Sequence, residues 1–424
     1  MRRIVKMPRL QLFVFSRCCF NRLTWICLVI YSVSFLGLFP LLFKDMRYSL
    51  YYRNPFRNSL SEMDYHMRQN ELRVAKASQF WSSHRQSGSL DLTKKQKDID
   101  IDVMIVTTFR HNSIVKGKNP KFLTQILWQF FHILNDPETR GLPWKISLSV
   151  CNVDSKHHEE ARNFSSVVQY FQRYSDEPRD VSRLNIKEKE KQDYAFCLEE
   201  SLKANPRYSL LVEDDAFPHP QLFYILYYLL EIRRSAMASR MHDSDVLFYK
   251  LYHPERLQGF WSIQPERIPE LISFAALFGT CSTLLVTYLL PKRTKARSRT
   301  FYFIWFLMVL YFTLIAIAVS RQHLNELRYV SKSLFSVSPT PSCCTPGMLF
   351  VADKAKHWLN YMKNHTCRLN YGKDTMLDDY RRKSNIRGLI VQPNLFVHIG
   401  FLSSLSEKLL DPSLMYYPQW FKLF

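Results

Sequence analysis

Three consecutive acids, Glu213-Asp214-Asp215, follow an apolar run in the segment YSLLVEDDAFPHP (208–220). Three carboxylates at the end of a buried strand repel one another and lose hydration, so the arrangement calls for a cation beside them. Hard divalent cations take carboxylate oxygens, and magnesium or manganese sites often combine one or two protein carboxylates with substrate phosphates. Such a run suits a metal that clamps a diphosphate and takes up the charge growing on a departing nucleotide. The plainer reading is a solvated acidic turn. A second acidic pair, Asp374 and Asp378 in GKDTMLDDYRR (372–382), is spaced four residues apart. That spacing places both carboxylates on one helical face. A carboxylate in a first helical turn also complements the helix dipole, which is reason enough for Asp374 to be there.

These residues need elements to position them. Ligands of open α/β sheets bind at the carboxyl ends of strands. The run DVMIVTTFR (102–110) reads as a buried strand, WKISLSVCNVD (144–154) as a second, YSLLVEDD as a third and SDVLFYKLYHP (244–254) as a fourth. Between them, 120–135, FSSVVQYFQRY, KEKEKQDYAFCLEESLKA and QLFYILYYLLEIRR have helical spacing. Later, 347–362 reads as strand then helix, DTMLDDYRRK as a helix and GLIVQPNLFVHIG (388–400) as extended. The alternation predicts an α/β fold with a parallel or mixed sheet. The last hundred residues are too strand-poor for a second comparable domain and are expected to complete the first.

The chain has 424 residues and a formal net charge of +21. The excess is not spread as a nucleic-acid groove would require. It concentrates in the tail 1–22 (Arg2, Arg3, Lys6, Arg9, Arg17, Arg22) and in 291–300 (Lys292, Arg293, Lys295, Arg297, Arg299), and both blocks abut apolar runs. Residues 23–43 are uncharged and long enough for a bilayer core of ~30 Å. No small-residue cleavage site follows them, so they read as a retained signal anchor. Residues 271–290 and 301–319 are two further apolar runs, which makes 271–319 a membrane hairpin with a basic turn. The positive-inside rule puts the tail and the turn in the cytosol, and residues 44–270 and 320–424 together on the luminal side. The glycosylation tripeptides at Asn163 and Asn364 both fall on that side. Residues 44–97 read as a luminal stem, with a capping box at Ser59-Leu-Ser-Glu62. Of nine cysteines, Cys18 and Cys19 are expected in the cytosol, and Cys27 and Cys281 in spans. Cys151, Cys197, Cys343, Cys344 and Cys367 fall in the compartment where disulfides form, and an odd count leaves one thiol over. No C-x-x-C pair marks a zinc site.

A signal-anchored α/β domain with an acidic motif after a strand resembles the GT-A glycosyltransferases. In LLVEDDAFPHP, LYHPERLQGFW and VQPNLFVHIGFLSSL, and in its division by a membrane hairpin, the chain resembles the Golgi GPI N-acetylgalactosamine transferase family. The resemblance implies a GT-A-like domain over 98–270 and 320–424, and a multi-pass Golgi membrane protein. It implies a manganese-dependent, inverting transfer of GalNAc from the nucleotide sugar UDP-GalNAc to the first mannose of a GPI anchor, with GPI-anchored proteins as acceptors. By position, Asp215 should ligate manganese with His398, Asp214 should lie near the metal or the ribose, and Glu213 should support them. Thr107, Thr108, Arg110 and Asp154 are placed to meet uridine. Asp374 takes the place of the catalytic base, with Asp378 behind it. The motif is E-D-D rather than D-x-D, and G-K-D stands where an acidic pair is usual. Two alternatives fit the same features: a GlcNAc transferase branching N-glycans, and a non-catalytic GPI-binding protein that keeps the fold.

Overall fold

The computed structural model describes residues 22–87, 98–110, 119–154, 158–174, 185–233, 245–260, 267–289, 298–403 and 408–423. Nearly all of the basic tail, with Cys18 and Cys19, lies outside the described residues, as does most of the basic turn. The chain divides into two compact units. One comprises 1–55 and 259–324, the other 56–258 and 325–424.

Among the described residues, the first unit holds three helices long and apolar enough to cross a membrane: Trp25–Leu42, Arg267–Leu289 and Phe301–Val319. The last two pack as a hairpin whose open end is tied by Arg321 Nε donating to Glu270 Oε2 at 2.8 Å. Close approach depends on Gly279. A Cβ there would lie 2.7 Å from Val309 Cγ2 and 2.8–2.9 Å from the Val309 backbone. Nearby, Trp305 Nε1 donates to Thr280 Oγ1 at 2.9 Å. Backbone cannot yield as a flexible side chain can, so Gly279→Val must part the helices and should cost about 1–3 kcal/mol by overpacking. A lowered melting midpoint in detergent checks this, and Gly37→Val, with nothing within 4 Å of its added Cβ, should leave that midpoint unchanged.

The second unit is built on an eight-stranded sheet in the order β3-β2-β1-β4-β8-β6-β9-β7. The central strands are β1 (Ile101–Thr107), β2 (Ile146–Asn152), β4 (Tyr208–Glu213), β6 (Val246–Lys250) and β8 (Gly347–Val351). Their β-branched and apolar runs are buried on both faces, as strands covered by helices require. Strand β1 pairs parallel with both β2 and β4. Strand β8 runs antiparallel to both β4 and β6, so the sheet is mixed. The outer strands are β3 (Gln169–Gln172), β7 (Ser336–Pro339) and β9 (Arg387–Gln392). A separate ribbon joins β5 (Ala216–Pro218) to β10 (Phe396–His398). The final hundred residues therefore supply β7 to β10 to the sheet and ribbon begun by the earlier segment.

Two expectations are corrected. The stretch 164–174 is not a helix, because its aromatic residues run parallel to β2 as the edge strand β3. The second concerns the cap of the stem helix, which packs on the domain. Helix Ser59–Ser87 packs on helix Phe122–Asn135, with Trp81 Nε1 donating to the Thr124 carbonyl at 3.1 Å and Arg73 Nε to Gln125 Oε1 at 3.0 Å. The Arg73 guanidinium also lies over the rings of Tyr417 and Phe421. Sequence polarity hid this, since the buried stripe carries Asn70 and Arg73 rather than aliphatic residues. The helix is capped by Asn58, whose Oδ1 accepts from Ser61 N at 2.9 Å, rather than by Ser59.

Candidate active site

Sheet topology gathers the acidic residues. Strands β1 and β4 are parallel neighbours and end together, at Thr107 and Glu213. Strand β8 runs the other way, so the loop that precedes it lies at the same edge, with Gly347 opposite Val212. Strand β6 ends there too, with Lys250 opposite Met348. The chain leaves β4 through Asp214 and Asp215 straight into β5. In the ribbon His398 is registered against Ala216, beside Asp215. Ile399 N donates to the Asp215 carbonyl at 2.8 Å and extends that pairing.

The sequence asked for a cation beside the three acids. The chain itself supplies two. Arg110 is buried and donates through Nη2 to Asp214 Oδ1 and Asp215 Oδ2, each at 2.9 Å, and through Nη1 to Asp214 Oδ2 at 3.2 Å. Its Nε donates to the Leu402 carbonyl, and its plane lies over the Phe122 ring. Arg110 thus acts as a counter-ion to both aspartates. Lys373 is the second cation. Its Nζ contacts Glu190 Oε1 at 2.5 Å and Glu213 Oε1 at 3.6 Å, above the Tyr194 ring. The lysine standing where an acidic pair is usual therefore pairs with Glu190 and reaches Glu213, whose carboxyl burial still pushes up to about 7.

Asp214, expected near a metal or ribose, has both oxygens engaged by Arg110, and Thr107 Oγ1 donates to its Oδ2 at 2.7 Å. In this arrangement it is the ion-pair partner of Arg110. Thr107 gives its one proton to Asp214, so His158 Nε2, 2.9 Å away, must be the donor to Thr107 Oγ1. Asp215 differs. Its Oδ2 faces Arg110 and lies 3.5 Å from His398 Nε2, while its buried Oδ1 has no hydrogen-bond partner among the described residues. Burial alone would raise the Asp215 carboxyl, but His398 and Arg110 outweigh it and hold it well below the usual carboxylate range. Burial pulls the His398 imidazole down, and Asp215 more than restores it. Gly400 makes room for this carboxylate, since a Cβ there would fall 2.2 Å from Asp215 Oδ2.

Among the described residues, no group of three or more His, Cys, Asp or Glu side chains is arranged to hold a metal. The residues that would hold a divalent ion are Asp215, through the oxygen left without a partner, and His398, which lies beside the other oxygen of that carboxylate. Two protein ligands suit an ion that completes its shell with phosphate oxygens and water.

Asp154 accepts at Oδ2 from Phe109 N at 2.7 Å and from Thr108 Oγ1 at 3.3 Å, which fixes the turn after β1. Thr108 and Asp154 are brought together, as their positions after adjacent strands required. Asp374 begins helix Lys373–Ser384 and accepts from Cys344 N at 2.8 Å and Thr345 Oγ1 at 3.5 Å. Asp378, one turn on, is taken up by Ser342 and by Arg381 Nη1 at 3.1 Å. Asn163 and Asn364 are both exposed. Cys151 and Cys197 form one disulfide, Cys343 and Cys344 another, and Cys367 is left as a buried thiol.

Sequence reasoning missed His158, Gly400 and Glu255. Glu255, in LYHPERLQGFW, accepts from Asn394 Nδ2 at 2.8 Å and from Tyr252 OH at 3.3 Å. Burial pushes its carboxyl up to about 7. A carboxyl raised on folding contributes its full stability below its ordinary pKa and loses it as pH rises through the folded value. Stability should therefore fall by about 3 kcal/mol between pH 4 and pH 8 on account of this group. Glu255→Gln should remove that share of the slope in melts run across the range.

A family model described as GPI-N-acetylgalactosamine transferase PGAP4 matches residues 101–397. Among solved structures, the crystal structure of S. aureus TarS 1–349 is similar at 14% identity and a TM-score of 0.21, covering 36% of this chain and 36% of that one.

Proposed function

The chain belongs to the GPI-N-acetylgalactosamine transferase family, and from that premise we propose that it moves GalNAc from UDP-GalNAc to the first mannose of a GPI-anchor glycan, with inversion and with a divalent cation, manganese, in the Golgi lumen. Membership makes it a glycosyltransferase with membrane helices. The observation that carries the finer reading is the buried Asp215 carboxylate at the carboxyl end of β4, with one oxygen unpartnered and the other 3.5 Å from His398 Nε2.

In this reading Asp215 and His398 would hold the ion, which when bound would supply charge stabilisation to a departing UDP. Arg110 fixes both aspartates and keeps Asp215 ionised and aimed. Thr108 and Asp154 shape the turn that receives the uridine, and Glu213, which Lys373 reaches, walls the sugar side. Asp374 takes the proton from the mannose hydroxyl as that oxygen bonds to the anomeric carbon from the face opposite UDP. The carbon–oxygen bond to UDP breaks in the same step, and the nucleotide leaves with the electron pair. The acceptor headgroup lies at a bilayer surface, which gives a catalytic unit interrupted by membrane helices a physical rationale.

Mass spectrometry of GPI glycans from cells lacking the protein tests the proposal. The GalNAc side chain should vanish, return with the wild-type chain and stay absent with Asp215→Ala. Unaltered GPI glycans in the deficient cells would overturn it, as would loss of N-glycan branches instead.

A further inference from the structure

We propose that the Cys343–Cys344 disulfide is a positioning element for Asp374, holding its carboxylate where the acceptor hydroxyl must lose its proton. The inference rests on the reading of Asp374 as the base.

The two disulfides differ in what they can do. Cys151–Cys197 spans 46 residues between buried partners on β2 and helix Ile186–Leu202. A cross-link of that reach stabilises by restricting the unfolded chain, by about 3–4 kcal/mol in the chain-entropy model. Cys343 and Cys344 are adjacent, so their bond closes almost no loop and gains almost nothing by that route. Nor is the pair a core staple, since both residues are only half-buried. Its effect has to be local.

Locally, it closes a small ring through the peptide bond between the two residues. Both hold positive φ, 88° at Cys343 and 65° at Cys344. A non-glycine residue rarely adopts that region, and two in succession are rarer. The ring keeps them there without glycine's freedom. In that conformation Cys344 N points at Asp374 Oδ2, 2.8 Å away, and the next residue, Thr345, brings its Oγ1 to Oδ1. The other side of the loop is gripped by Lys250 at the end of β6, whose ammonium donates to the Cys343 and Pro341 carbonyls. Ser342 reaches Asp378 one turn along the helix. The loop thus bridges β6 and helix Lys373–Ser384, and both of its contacts on Asp374 issue from the ring or the residue after it.

The test compares Cys343→Ser/Cys344→Ser with the wild-type full-length protein in detergent. Peptide mass spectrometry first establishes the bond as a loss of two hydrogens, and free thiols in the folded protein would end the proposal. The serine pair should lower kcat for transfer about tenfold or more, the scale of effect expected when a reacting group is misplaced by a fraction of an ångström to an ångström. Donor KM, UDP-GalNAc hydrolysis and melting midpoint should stay within error of wild type. Unchanged transfer overturns the inference. So does a joint fall of transfer, hydrolysis and midpoint, or failure of the pair to fold, because either makes the bond merely structural. Asp374→Asn run alongside separates the premise: wild-type transfer by that variant removes the base assignment itself, whatever the serine pair does.

Discussion

Asp215→Ala is expected to abolish manganese-dependent UDP binding and to lower transfer by about 10²–10³-fold or more, the range seen when one preorganised charge-stabilising contact is lost. The fold should survive. Arg110 would lose one carboxylate contact at 2.9 Å and keep two to Asp214. The cost is therefore expected to stay below the about 3–5 kcal/mol typical of a buried charge left with no partner. Asp214→Ala should behave in the opposite way. It takes both Asp214 contacts from Arg110 and the acceptor from Thr107, so the melting midpoint should drop further than in Asp215→Ala. Calorimetric titration of manganese and UDP, beside thermal melts, separates the two variants. If the Asp215 variant binds UDP with undiminished dependence on manganese, the assignment of the ion to this carboxylate is wrong.

The contrast between these neighbours marks the limit of what the sequence could reveal. That a buried strand ends in Glu213-Asp214-Asp215 was legible, because an apolar run followed by charges marks a strand end. The demand for a positive partner was legible too, from electrostatics alone. Which cation answers it was not. Arg110 lies 104 residues from Asp214 in sequence, and only the parallel pairing of β1 with β4 brings their ends together. Lys373 was noticed as a departure from an acidic pair, yet its partners Glu190 and Glu213 come from other elements. His398 could be placed beside Asp215 by family resemblance, whereas the physical cause is its register against Ala216 in a three-residue ribbon. A ribbon so short leaves no periodicity to read. The buried strands and the membrane helices were legible for the reverse reason: each is a long local run whose composition decides its burial. Helix Ser59–Ser87 fell between these cases. Its pattern marked it as a helix, but a buried face made of Asn70, Arg73 and Trp81 looks like a solvated one until their partners are known.

Asp374→Asn is expected to reduce kcat for transfer by about 10²–10⁴-fold while leaving UDP affinity unchanged, the range that general-base catalysis supplies. Three features of its position support the role. The carboxylate sits in the first turn of helix Lys373–Ser384, near the positive end of the helix dipole. It accepts hydrogen bonds from Cys344 N and Thr345 Oγ1, which hold the anion in one orientation. It follows directly on Lys373, whose contact with Glu213 brings this helix start to the end of β4. Asparagine keeps the size and one acceptor oxygen but cannot take a proton, so binding and folding should persist while chemistry stops. Asp378→Asn is the matched control. Asp378 shares the helical face but is engaged by Arg381 and Ser342, so its loss should loosen the loop before β8 and lower kcat by about tenfold at most. Rates that fall equally in the two variants would mean that the helix start serves the fold and that the proton leaves by another group. A rate lost only with Asp374 would place the base at the carboxylate that Cys344 N and Thr345 Oγ1 hold beside Lys373.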